Sequence, residues 1–291
     1  MRPTSLAFIT PVWQRFSLTG VCLRQRKHVC DHLKDHYGLD ATTIVVGSDE
    51  NLDVAESMGF ETVRHENWAR RLDVNRGEPY VALGMKFNAG YMKANELGID
   101  LVFPIGSDSW IHPAYFSELP DPGELLLSRA YNLVTADTRR RGALWIGWEG
   151  GVQWITWTKD WAHRDFKPVS ESLSKGCDTS TWVHRRPDIR VGEKHIHQLE
   201  YVAFQSPANQ ITDYAAIMHR YGIGEAYDQA VFGDLEGYYD AEDIRAVKVH
   251  YNRERIATIE ETLRLMRDEL GETAQLYEEL QREREELEAT A

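Results

Sequence analysis

Residues Leu101–His112, LVFPIGSDSWIH, decide how this chain is read. Leu101–Ile105 is an unbroken apolar run, short enough for a strand and without polar alternation, so it reads as a strand buried on both faces. It stops at Gly106-Ser107-Asp108-Ser109. A carboxylate just past the carboxyl end of a buried parallel strand stands where open α/β sheets bind their ligands. Trp110 and His112 are placed to wall such a site. The competing reading is a capped turn in which Ser107, Asp108 and Ser109 bond local backbone.

The residues upstream repeat the pattern. Leu6–Thr10 is a first apolar strand ended by Pro11, and Ser17 is an N-cap candidate for the helix that follows. Leu18, Cys22, Val29 and Leu33 share a face, with Gln25 interrupting, which predicts a helix to about Tyr37 before Gly38. Thr43–Val46 is a second strand, and it too ends in a small-residue turn with carboxylates, Gly47-Ser48-Asp49-Glu50. Asn51–Met58 reads as a short helix and Phe60–Arg64 as a third strand. Leu83, Phe87, Tyr91 and Ala94 form the stripe of a helix over Tyr80–Leu97, closed by Gly98. Strand and helix alternate through the first 105 residues, which predicts a doubly wound parallel sheet.

After Pro120 the texture changes. Leu125–Ser128, Asn132–Ala136, Ala143–Trp148 and Val152–Trp157 are short, aromatic-rich runs that predict antiparallel sheet. Asp137–Gly142 and Glu149-Gly150-Gly151 read as hairpin connections. Lys159–Arg186 reads as a long polar loop with a short helix, Thr212–Tyr221 as a helix and Ala246–Tyr251 as a last strand. From Ile256 to Leu287 apolar positions recur at spacings of three and four, a heptad pattern with Gly271 in its middle and Tyr277 and Arg284 in the seam. The expected division is a domain over 1–252, with halves 1–115 and 116–252, followed by a coiled-coil oligomerisation helix over 253–291.

Composition narrows the function classes. The 291 residues include 42% hydrophobic and 27% charged side chains, as in an ordinary globular protein. Of the net charge of −13, the segment 254–291 carries −7 (12 acidic and 5 basic residues), leaving −6 for the remainder. Neither portion is the basic surface of a nucleic-acid binder. No apolar run is long enough to cross a bilayer. Three cysteines without metal-like spacing fit free thiols in a reducing compartment, and a cytoplasmic location is expected.

Three features can carry chemistry. The strand-end turns around Asp49 and Asp108 fall on one edge of a parallel sheet. One carboxylate there can accept hydrogen bonds from a nucleobase or ribose, and another can hold a divalent cation, since magnesium and manganese need only a few carboxylates plus substrate phosphates. Lys86 and Asn88 lie in Gly84-Met85-Lys86-Phe87-Asn88-Ala89-Gly90, where two glycines inside a helical pattern signal close approach of backbone or ligand. The rival reading of Lys86 is a solvated side chain on an amphipathic helix. Asp178, in the polar run Lys175–Trp182, is a candidate base beside an acceptor, or else an N-cap. Among the histidines, His195 and His197 at i and i+2 share a face on a strand, as metal ligands can, and His250 at the expected strand end ranks above His197 as a metal ligand. Arg139-Arg140-Arg141 reads as a solvated hairpin, or as a phosphate contact. Walker and Gly-x-Gly-x-x-Gly loops are absent from the sequence.

With these motifs the chain resembles the GT-A fold glycosyltransferases, in particular the inverting family 2-like enzymes of bacteria and their phages. Thr10-Pro11 resembles that family's donor-binding first strand. Val45-Val46-Gly47-Ser48-Asp49 resembles its second strand, whose acidic end contacts the base. Gly84–Gly90 is similar to the segment whose basic residue and Asn lie against the nucleotide. Gly106-Ser107-Asp108-Ser109 stands in the place of the Asp-x-Asp metal motif, with one carboxylate where two are expected.

The resemblance implies an α/β fold with a Rossmann-like mixed sheet and helices on both faces, here with a C-terminal coiled-coil helix added. It implies a UDP- or GDP-sugar donor held by Thr10, Pro11, Asp49, Lys86, Asn88 and Ser107, with Mn2+ or Mg2+ on Asp108 and His250. Asp178 is then the base that activates the hydroxyl of a protein or glycan acceptor. A nucleotidyltransferase, which would place a Gly-rich basic loop where Pro11–Arg15 stands, and a non-catalytic assembly protein acting through its coiled coil are the alternatives. The heptads lead to the expectation of a homo-oligomer.

Overall fold

The computed structural model describes residues 2–13, 16–48, 50–65, 78–133, 148–162, 190–194, 196, 200–204, 235–265 and 274–290. Two compact units divide the chain, one of Met1–Ala130 with Gly150–Val202, the other of Tyr131–Glu149 with Ala203–Ala291.

The first unit is built on a parallel core. Strands β1 (Ser5–Pro11), β2 (Asp40–Gly47), β3 (Glu61–Arg64) and β4 (Leu101–Pro104) lie in the order β3-β2-β1-β4. Ile9 pairs with Ile44 and Pro104, and Val46 with Val63, so all four run in one direction. Helices α1 (Phe16–His32), α2 (Asn51–Ser57) and α3 (Glu78–Glu96) connect them, and the last turn of α1 continues as a π-helical segment, Leu33–Tyr37.

The alternation of side chains along β1 shows that both faces of the sheet are covered. Ala7 and Ile9, with Ile44, Val46 and Val102, pack against Tyr91 and Ala94 of α3. Phe8, on the opposite face, meets Phe103 at 5.9 Å and Phe116 at 5.5 Å edge-on, with the Arg26 guanidinium of α1 lying 5.0 Å from its ring centre. Edge-to-face rings and a cation over a ring face both follow the aromatic quadrupole. Burial on both faces explains why β1 and β4 contain apolar residues without alternation, as a parallel strand requires. This is the doubly wound, Rossmann-like arrangement predicted from the sequence.

Beyond β4 the sheet becomes mixed. β5 (Ser109–Ile111), β6 (Glu124–Leu133), β7 (Trp148–Trp157), β8 (Arg190–Glu193) and β9 (Tyr201–Phe204) extend it as β4-β7-β6-β9-β5, with β8 parallel beside β6. β7 runs antiparallel to β4, Leu101 opposite Trp157. Three readings change here. Leu125–Ser128 and the start of Asn132–Ala136 belong to one strand, β6. Glu149-Gly150-Gly151 lies within β7 rather than at a hairpin. Directly after the Asp108 turn, Ser109–Ile111 forms a short strand, β5, rather than a continuation of the turn. A short helix α4 (Thr158–Ala162) follows β7.

In the second unit the described residues include α5 (Ala241–Leu265) and α6 (Ala274–Thr290), which pack on each other. The expected strand Ala246–Tyr251 is helical. Asp240 caps α5, its Oδ1 accepting from Glu242 N at 2.7 Å and Asp243 N at 3.4 Å. Glu242 and Asp243 then add negative charge to a positive helix end. A helix so initiated carries Val247, Val249 and Tyr251 along with it, and it runs unbroken through Asn252, where the sequence reading set its boundary.

Candidate functional site

The carboxyl ends of β1, β2 and β4 form one edge, and backbone hydrogen bonds hold it together past the strands. Val12 N donates to Val46 O (2.9 Å), Ile105 N to Ile9 O (3.0 Å) and His65 N to Gly47 O (2.7 Å). The turn Gly106-Ser107-Asp108 leaves this edge from β4 and leads into β5.

Asp108 and Ser107 are half-buried on that turn, whereas Ser109, Trp110 and Ile111 are buried behind it. The Asp108 carboxylate lies back over Gly106: a Cβ on Gly106 would stand 2.5 Å from Asp108 Oδ1 and 3.0 Å from Ser109 Oγ. Only glycine leaves room for that conformation. Ser109 Oγ donates to Asp108 Oδ1 over 3.3 Å. Asp100, at the opposite end of β4, provides a contrast. Its Oδ2 accepts from Thr4 N at 2.7 Å and Thr4 Oγ1 at 2.8 Å, which is a structural latch on the amino edge. Burial opposes ionisation of Asp100, but these bonds and those from Ser5 outweigh it and lower its pKa.

The other expected site residues fall as follows. Thr10 is turned inward, its Oγ1 accepting from Arg26 Nη1 at 3.4 Å, and Pro11 is buried in the ladder beside Val46. The buried Lys86 donates from Nζ to Val12 O at 2.7 Å. It is not a solvated lysine; it ties α3 to the chain leaving β1. Asn88 is half-buried on α3. His250 corrects an expectation. It is buried in α5, not at a strand end. Asp49, Asp178, His195, His197 and Arg139-Arg140-Arg141 lie outside the described residues.

Among the described residues no group of three His, Cys, Asp or Glu side chains is arranged to hold a metal ion. The turn nevertheless offers oxygen donors only, a carboxylate and the Ser107 hydroxyl. That suits magnesium or manganese held mainly by substrate phosphates.

Sequence reasoning passed over three residues. Trp13 and Phe16, flanking the exit from β1, are 43% and 45% exposed, unusual for large apolar side chains beside a parallel-sheet edge. Tyr201 of β9 is buried, with its hydroxyl hydrogen-bonded to the Ser109 side chain and the Gly106 backbone. Their aromatic type was visible, but exposure and long-range contact were not.

Among the described residues no helix is long and apolar enough to cross a membrane. No protein-family model and no curated protein matches the chain. Solved structures similar to it include an inositol-1-phosphate CTP transferase from T. maritima, with TM-score 0.36 and 12% identity over 82% of this chain and 98% of that one. A glycosyltransferase involved in glycosylation of the major capsid of PBCV-1 gives TM-score 0.34 and 12% identity over 68% and 93%. A 4-diphosphocytidyl-2C-methyl-D-erythritol synthase from Anaerococcus prevotii gives 0.35 and 11% over 74% and 99%.

Proposed function

We propose that the chain is a glycosyltransferase that moves a sugar from a nucleotide-sugar donor to an acceptor hydroxyl on a protein or glycan. The observation that carries this reading is the half-buried Asp108 carboxylate on the turn after β4, at the ligand-binding edge of a doubly wound sheet. Beside the same edge Trp13 exposes an apolar ring of the kind on which a nucleobase stacks.

In this reading Asp108 and Ser107 are the residues that would hold Mn2+ or Mg2+. When bound, the cation offsets the charge that develops on the leaving nucleoside diphosphate. Lys86 acts indirectly, by fixing the Val12 carbonyl and with it the chain that passes the nucleotide. Asp178 takes the proton of the acceptor hydroxyl as its oxygen bonds to the anomeric carbon and the bond from that carbon to the diphosphate oxygen breaks. A single base acting in line gives an inverted product.

The test is titration with UDP and with GDP, each with and without MnCl2. Wild type is expected to bind one of them more tightly with Mn2+. Asp108→Asn should lose the Mn2+-linked part at a nearly unchanged melting temperature. Asp178→Asn should bind like wild type and lose roughly 10² to 10⁴ in transfer rate. Wild-type protein that binds neither nucleotide would point instead to a non-catalytic assembly role. An Asp178→Asn variant that transfers at a wild-type rate would place the base elsewhere.

A further inference from the structure

The turn that carries Asp108 is gripped by buried groups from two distant elements. From α1, Arg26 Nη2 donates to Ser109 O at 3.0 Å, while Gln25 Nε2 donates to Ile111 O at 2.7 Å and Gln25 Oε1 accepts from Ile111 N at 3.5 Å. From β9, the Tyr201 hydroxyl meets the Ser109 side chain and the Gly106 backbone. Tyr201, Ser109 and Arg26 are 1%, 2% and 1% exposed, so water does not compete for these bonds.

Donor and acceptor counting gives this contact a direction. A carboxylate only accepts, so Ser109 Oγ spends its one hydrogen on Asp108 Oδ1. The Tyr201 hydroxyl must then donate to Ser109 Oγ, which leaves the phenolic oxygen to accept from Gly106 N–H. The chain Gly106 N–H, Tyr201 O–H, Ser109 O–H, Asp108 carboxylate closes on the turn itself. Each hydroxyl in it donates once and accepts once. Rotating the Asp108 carboxylate away would strand a buried hydroxyl, and buried unsatisfied polar groups are costly.

We infer that Tyr201, acting through Ser109, is a positioning residue that holds the Asp108 carboxylate in the orientation that binds the divalent cation. The inference rests on the reading of Asp108 given above. Hydrogen-bonded partners behind a metal ligand typically account for about 10- to 100-fold in metal affinity.

The experiment measures the Mn2+ concentration that half-saturates the enhancement of UDP binding in the full chain. Wild type, Tyr201→Phe, Ser109→Ala, the double variant and Asp108→Asn are compared, with UDP binding in the absence of metal as the control. Tyr201→Phe and Ser109→Ala should each raise the half-saturating Mn2+ about tenfold or more. Metal-free UDP affinity should stay unchanged, and the double variant should be no worse than either single one, because both cut the same chain. If GDP proves to be the nucleotide bound, GDP replaces UDP throughout. Should Tyr201→Phe not fold, Ser109→Ala decides by itself. The inference falls if either single variant keeps wild-type Mn2+ dependence, or if their losses multiply in the double, while Asp108→Asn abolishes the Mn2+ effect. If Asp108→Asn itself leaves the Mn2+ effect intact, the reading of the site fails and takes the inference with it.

Discussion

At the scale of single residues, the turn around Asp108 and the cap at His112 both depend on a side chain that accepts a hydrogen bond from a near neighbour. His112 Nδ1 accepts from Ala114 N at 3.1 Å and so caps the 3₁₀ turn Pro113–Ser117. That bond needs a neutral imidazole. Burial pushes the pKa below the ordinary 6.5, Glu200 opposes the shift and His32 adds to it. With the folded-state pKa depressed, the unfolded chain takes up the proton first. The contribution of His112 to stability is therefore complete above pH 6.5 and is lost as the pH falls below it. His112→Asn keeps a capping oxygen but does not titrate, so its melting temperature should fall less steeply than that of wild type between neutral and mildly acid pH. Equal slopes for the two proteins would show that His112 is not the group responsible. Residue chemistry of this kind was only half legible beforehand. The sequence places His112 as a wall of the site and shows Gln25 interrupting the apolar stripe. That Gln25 and Arg26 are buried and bond β5 depends on contacts between α1 and residues far along the chain.

At the scale of elements, Gly90 links sequence to packing most directly. Two glycines within the helical pattern of α3 signalled a close approach, and at Gly90 the close neighbour is β1. A Cβ there would overlap the Ile9 side chain and stand 3.3 Å from Val46 Cγ2. In an isolated helix Ala is better than Gly by about 1 kcal/mol, but overpacking a core typically costs about 1–3 kcal/mol. Gly90→Ala should therefore lower the melting temperature, and a rise would mean that α3 can lift off β1 without penalty. The parallel half was legible because the buried stretches of β1, β2 and β4 are predominantly apolar, and because turn residues stop them. The mixed half was less so. β5 is too short to show a period, and the Gly150-Gly151 pair imitates a turn inside β7. The alternation of Val247, Val249 and Tyr251 imitates a strand, although Asp240 with Glu242 two and Asp243 three residues on already spells a helix start.

At the scale of the whole molecule the heptads of the tail raise the question of what covers them. A lone amphipathic helix is marginal in water, so its apolar seam needs a partner. Within one chain α5 and α6 already supply partners to each other, and Leu263 and Leu287 are 4% and 9% exposed without a second copy. Arg284, which falls in the seam by spacing, pairs along its own helix with Glu288 at 3.5 Å, a surface contact of small worth. Charge favours the same solution. Residues 254–291 carry a net −7, and bringing two such tails together costs repulsion that salt screens over about 8–10 Å. The full chain is therefore expected to scatter light as a single copy of 33.5 kDa at low ionic strength. Deleting residues 274–291 removes α6, the helix packed on α5, and each leucine side chain that this exposes in full costs about 1.5–3 kcal/mol. The shortened chain should melt earlier and associate, more strongly as salt is raised. The opposite pattern, a full-length multimer that falls to single copies when α6 is removed, would mean that the heptads join separate chains, as their spacing alone suggests, and that the pairing of α5 with α6 is the weaker of the two contacts.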